Sequence, residues 1–231
     1  MATGLRMQGG TLQRIYTRYT LQIMPKKNIV KMYGSNQYYH IYNRGGNKID
    51  ILREPNDYYY FLSLLKRHLS DEATFDSSGR LFAKYNDEVE LIAFCLMPNH
   101  FHFLCYLKDP EGIIHLMRSV MTAYTMYFNK KYKRTGKLYE GVFLASRIDS
   151  DIYLWQVSRY IHLNPIDAGY DYQNYAYSSM EYFSGNKHAD WLHNKRLVET
   201  DSDKHQYLEF VSDYQSMHQD LKFLKNVLAS S

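Results

Sequence analysis

The chain has 231 residues, enough for one sizeable domain or one domain with an appendage. Hydrophobic residues make up 45% of it and aromatics 16%, so a packed core is expected and wholesale disorder is excluded. The formal net charge of +4 is too mild to name a partner. No apolar stretch approaches the length of a membrane span, and the N-terminus lacks the apolar core of a signal peptide. Cys95 and Cys105 lie in separate apolar runs without zinc-site spacing, which suits free buried thiols in a reducing compartment. A cytoplasmic, nucleoid-associated protein is the expectation.

Residues 1–33 read as an N-terminal tail or appendage. From Gln37, alternation through Tyr38, His40 and Tyr42 predicts a strand that runs into the turn Asn43-Arg44-Gly45-Gly46. Pro55 and Asn56 open a helix that carries Phe61, Leu62, Leu64, Leu65 and Leu69. Residues 71–87 form a polar excursion. Val89 to Met97 is a continuous apolar run, as in a strand buried on both faces. Pro98-Asn99 links it so tightly to the strand from His100 to Leu107 that the two must form an antiparallel hairpin. Glu111 to Lys131 predicts a helix with Ile113, Met117, Val120, Tyr124 and Phe128 along one face. Leu138 to Ile148 supplies a fourth strand. Asp149 and Ser150 cap a further helix from Asp151 to about Leu163, stopped by Pro165. A C-terminal helix is expected from Lys204 to Leu228. The order predicts an α+β fold: a split β-α-β antiparallel sheet with helices on one face, and the extra helix against the other.

The chemistry concentrates on His100-Phe101-His102. Residues i and i+2 of a strand share a face roughly 7 Å apart, so two imidazoles at this spacing can converge on one metal ion while Phe101 enters the core. Position 104 is Leu, not a third His, so a further ligand must come from elsewhere. His40, His162, Asn164 and Glu90 are the candidates. Two neutral imidazoles and an amide oxygen suit Mg²⁺ or Mn²⁺ acting on a phosphate more than a closed zinc site. Between residues 118 and 147, Arg118, Lys130, Lys131, Lys133, Arg134, Lys137 and Arg147 form a local basic excess of the kind that neutralises phosphates.

Four blocks then carry a resemblance. They are Tyr39-His40-Ile41-Tyr42-Asn43-Arg44-Gly45; Cys95-Leu96-Met97-Pro98-Asn99-His100-Phe101-His102; Gly136-Lys137-Leu138-Tyr139-Glu140-Gly141-Val142-Phe143; and Arg159-Tyr160-Ile161-His162-Leu163-Asn164-Pro165 with Ala168-Gly169. In order and spacing the chain resembles the HUH single-tyrosine transposases (the IS200-like transposase domain), and within them the REP-associated tyrosine transposases. The resemblance runs from about residue 37 to residue 183. It implies a ferredoxin-like or RNA-recognition-motif-like sheet with an added catalytic helix and a C-terminal helical extension. It divides the chain into 1–33, a transposase/endonuclease domain at 34–185, and an extension at 186–231.

The resemblance further implies metal-dependent cleavage and rejoining of single-stranded DNA through a 5′-phosphotyrosine intermediate, at hairpin-forming repeats. By position His100 and His102 match the metal ligands, Tyr160 the catalytic tyrosine and Asn164 the third ligand. Tyr160 and Asn164 stand four apart, so one helix face can deliver both. Tyr153 is the runner-up nucleophile, and Tyr139 is expected to pack. Arg44, Lys137 and Arg147 are then phosphate contacts, with His40 and Asn43 lining the site. The partner is single-stranded or hairpin DNA, and a monomer is favoured over a homodimer. Two other readings compete: a domesticated DNA-binding or regulatory protein of the same fold without turnover, and a metal-dependent phosphoesterase acting on small nucleotides.

Overall fold

A computed structural model describes residues 32–214. Residues 1–31 and the part of the expected C-terminal helix beyond residue 214 lie outside the described residues. The elements run in the order β1 (Gln37–Arg44), α1 (Pro55–Leu69), β2 (Val89–Met97), β3 (His100–Leu107), α2 (Gly112–Lys131), β4 (Leu144–Ile148), α3 (Asp151–Asp167) and the single turn α4 (Met180–Phe183). A helical stretch over 201–214 closes the described chain. No helix among the described residues is long and apolar enough to cross a membrane.

The four strands form one antiparallel sheet in the order β2-β3-β1-β4. β3 lies between β1 and β2, which is the expected split β-α-β arrangement. Alternation assigns the two faces. Tyr39 and Ile41 of β1, Phe101, Phe103 and Cys105 of β3 and Ala145 of β4 belong to a first core under α1 and α2. There Phe61, Tyr124 and Phe128 are fully buried. The opposite face carries Ala93, Cys95, Met97, Leu104 and Ile148, which pack with Leu154, Val157 and Ile161 of α3 in a second core.

All nine residues of β2 are buried, in keeping with its continuous apolar run. Its register slips between Leu91 and Ala93. Two residues of β2 there oppose one of β3, so Ile92 and Ala93 both join the second core.

Two elements differ from expectation. β4 begins at Leu144, because Leu138 and Tyr139 instead fold into a loop fastened to the end of β1 by Gly46 N–H bonded to the Leu138 carbonyl. Helix α3 does not stop at Leu163; it continues through Pro165 to Asp167. Pro165 withdraws one N–H, and the final turn is closed by other bonds. Ala168 and Tyr170 N–H reach the Pro165 carbonyl, while Gly169, at φ +81°, donates to Ile166. At the start of α3 the Ser150 side chain accepts from Tyr153 N–H, the expected cap.

The chain after residue 185 packs on the rest. Trp191 and Leu192 enter the first core, and Leu197, Val198, Tyr207 and Val211 the second.

Candidate active site

β1 and β3 pair in the register Arg44↔His100, Tyr42↔His102 and His40↔Leu104. Alternation places Arg44, Tyr42, His40, His100 and His102 on the α3 face. The His100 and His102 rings lie 5.0 Å apart, edge to face, and Phe101 between them is fully buried in the opposite core. Helix α3 crosses above this end of the sheet. Its Tyr160 ring meets His102 edge-on at 5.2 Å and His40 at 6.0 Å. One turn later, Asn164 Oδ1 sits 2.8 Å from His100 Nε2. Keeping Asn164 inside the helix, despite the proline after it, puts this amide over the sheet. One chain therefore brings together His100, His102, Tyr160 and Asn164, and adds His40, whose Nε2 is 2.9 Å from His102 Nδ1.

Burial governs the electrostatics. It pushes the His102 imidazole well below its ordinary pKa, and its neighbours His40 and His100 add to the depression. It likewise brings His40 down to about 3. His100 is lowered by burial, Asn164 working the other way and Arg44 adding to the fall. All three rings are neutral at neutral pH. Burial raises the Tyr160 phenol, and the Asn164 amide works against that rise.

A neutral His100 has one N–H and one lone pair. Its Nδ1 lies 2.6 Å from Asn99 Oδ1, and in the tautomer protonated on that nitrogen Nδ1 donates there. Nε2 then presents a lone pair to Asn164 Oδ1, a second acceptor. In that tautomer two acceptors meet at 2.8 Å, a donor set that a cation would satisfy. Among the described residues no three His, Cys, Asp or Glu side chains form a metal-holding group. A cation here would take the Asn164 amide oxygen beside the His100 and His102 imidazoles, a mixed oxygen and nitrogen donor set that a divalent cation can accept.

The other expected residues separate. Of the candidate third ligands, His162 lies behind α3, bonded through Nδ1 to Tyr207 Oη and through Nε2 to Ser179 Oγ, both at 2.7 Å. Glu90 stands at the far end of β2, paired with Lys108 and Arg196. Tyr139 is buried with its ring edge-on to Phe101, so it packs as expected. Arg44 stands beside His100, held by a two-pronged ion pair with Glu140. Asn43 points away from the histidines, donating to the Gly141 carbonyl and accepting from the N–H of Arg44. Lys137 is exposed in the 136–143 loop. Arg147, opposite Tyr39 on β4, is exposed on the face away from the histidines.

Three features were not anticipated. Asn99 orients His100. Tyr42 flanks His40 at 4.9 Å and His102 at 5.9 Å. His40 bonds directly to His102. Alternation along β1 places Tyr42 and His40 on one face but does not say which residues of β3 they meet.

Comparison with known proteins gives a family. The model of the IS200-like transposase family matches residues 79–164. No curated protein matches the chain. Among solved structures, a REP-associated tyrosine transposase bound to a REP hairpin is similar at 14% identity, over 71% of this chain and 90% of that one, with a TM-score of 0.49. Residues 79–164, from the loop before β2 to the asparagine that meets His100, thus match the IS200-like transposase family, the one that the chain's motifs resemble.

Proposed function

We propose that the protein is a metal-dependent single-stranded DNA endonuclease and transposase. In this reading Tyr160 is the nucleophile, and hairpin-forming repeats are the substrate. What carries the reading is one contact set: Tyr160 edge-on to His102, with Asn164 from the same helix face on His100, within one chain. The family match over the same residues supports it. His100, His102 and Asn164 would hold Mg²⁺ or Mn²⁺, which polarises the scissile phosphate and stabilises charge on its oxygens.

The chain's own groups do the rest. Tyr160 Oη attacks the phosphorus, and its proton leaves to solvent. The bond from phosphorus to the 3′ oxygen breaks, and that oxygen takes up a proton as the free 3′-hydroxyl. A phosphodiester is exchanged for a phosphotyrosine diester, so the 3′-hydroxyl can reverse the step and rejoin the strand. A phenol whose pKa burial has raised is a poor nucleophile in the free protein. Its reactivity therefore depends on docking of DNA and cation. Arg44, once released from Glu140, is the cation placed to hold a phosphate beside His100. Because one chain supplies every group, a monomer acting in cis is sufficient.

The test is an adduct assay. Labelled DNA carrying a hairpin and a single-stranded flank is incubated with protein and Mg²⁺ or Mn²⁺, then denatured and resolved by gel. Wild type is expected to give a covalent protein–DNA band and Tyr160→Phe none. An adduct that survives Tyr160→Phe assigns the nucleophile elsewhere, with Tyr153 next in line. Hairpin binding without cleavage under either metal supports the reading as a DNA-binding protein without turnover.

A further inference from the structure

His40 is fully buried, and among the described residues its one side-chain hydrogen bond is to His102. The two ring centres lie 5.0 Å apart while the nitrogens are 2.9 Å apart. That separation is little less than the nitrogen distance plus the two ring radii. The rings therefore meet nearly in line, nitrogen to nitrogen, as donor and acceptor sharing one proton. They do not converge on a third point, as two ligands of one ion would.

One proton between two neutral imidazoles leaves two arrangements. If His40 donates, the proton of His102 must sit on Nε2, and that nitrogen cannot bind a cation. If His102 donates from Nδ1, its Nε2 keeps a lone pair, on a ring that Tyr160 meets edge-on. We infer that His40 is a positioning residue whose Nε2 accepts the Nδ1–H of His102, holding His102 in the tautomer able to ligate a divalent cation; this rests on the reading of His102 as a ligand. In this arrangement the second nitrogen of His40 becomes a donor. Ser146 on β4 pairs directly with His40 across the sheet. Its Oγ and the His40 Nδ1 are both buried without a partner among the described residues. Around them the α3 face is apolar, formed by Leu104, Ile148 and Ala93. An apolar residue would fill the place of His40 without stranding a polar atom. A partner that fixes the ring of a ligating histidine gives the buried imidazole a purpose.

The experiment has an arm that needs neither metal nor turnover. In metal-free wild-type protein with ¹⁵N-labelled histidine, long-range ¹H–¹⁵N spectra report which ring nitrogen of His102 is protonated. Nδ1 is expected, and a proton on Nε2 overturns the inference. This arm uses wild type, so it decides even if a variant does not fold. In the second arm, Mn²⁺ binding is measured by calorimetry. Affinity should fall on the order of 10- to 100-fold in His40→Leu. His40→Gln, whose Oε1 can accept the same proton, should recover most of it. Hairpin binding in EDTA should be equal in all three proteins. Unchanged Mn²⁺ affinity in His40→Leu overturns the inference. Failure of wild type to bind Mn²⁺ overturns the metal reading instead, while the tautomer still reports on His40.

Discussion

The two faces of the sheet use buried residues differently. Under α1 and α2 the face is aromatic and aliphatic, with Phe101 and Phe103 stacked at 4.6 Å and Phe61 against both. Under α3 it mixes apolar side chains with histidines, and two of these make the contrast plain. His162 has both ring nitrogens bonded, to Tyr207 and Ser179, and Tyr207 passes its proton on to Ser158. That network is closed and ties α3 to the helical stretch 201–214. His40 has one nitrogen bonded and one without a partner among the described residues. A closed network fixes structure, whereas His40 spends its one bond on the ring of His102.

The contrast can be broken first by cutting into each face. Phe101→Ala should cost about 3–5 kcal/mol in urea unfolding, because it empties the first core. His102→Gln, one residue on, should cost no more than about 1 kcal/mol while removing cleavage altogether. If His102→Gln destabilised as much as Phe101→Ala, the site face would be as structural as the core face.

A smaller effect follows from pH. Burial brings the folded-state pKa of His162 down to about 3 from an ordinary 6.5. Below 6.5 the unfolded chain binds a proton that the folded chain refuses, so stability falls as pH drops from 6.5 toward 3 and is level above 6.5 for this group. One such histidine contributes a slope of at most about 1.4 kcal/mol per pH unit. His162→Gln should flatten the urea-unfolding profile over that window. An unchanged slope would mean that His162 is not held neutral by the fold.

The smallest effect sits at the rim. Arg44 and Glu140 are both half-exposed, so their ion pair contributes no more than about 1 kcal/mol to stability. Glu140→Gln should leave the unfolding midpoint nearly unchanged. It should also tighten hairpin binding a few-fold at low salt by freeing Arg44 for phosphate. Weaker binding would show that Glu140 positions Arg44 and does not compete for it.

The elements up to α2 could be read from local pattern, since alternation and caps are encoded within a few residues. The His100-Phe101-His102 pair and the Tyr160–Asn164 spacing were equally local. What could not be read was set at a distance. The contact of His40 with His102 depends on β1–β3 register, which neither strand specifies alone. The slip in β2 that turns both Ile92 and Ala93 toward α3 leaves no mark in a uniformly apolar run. Pro165 reads as a stop, yet the helix continues because Ala168, Gly169 and Tyr170 close its end. Arg44 and Lys137 looked alike as basic residues, and only the fold gives one of them a carboxylate partner beside the site.

The link Pro98-Asn99 sets how much change the chain can absorb, and where. Its carbonyls receive the N–H groups of Ile51, Leu52 and Gly45, so the turn is anchored to the segment after β1 as well as to its own strands. An added residue there would shift His100 and His102 to the opposite face of the sheet, because side chains alternate along a strand. The exposed tip of the polar excursion between α1 and β2, at Ser77-Ser78-Gly79, carries no such anchor to the sheet and can lengthen at little cost. The domain thus has one stretch where length is information and another where it is slack, and variation among related chains should collect in the second.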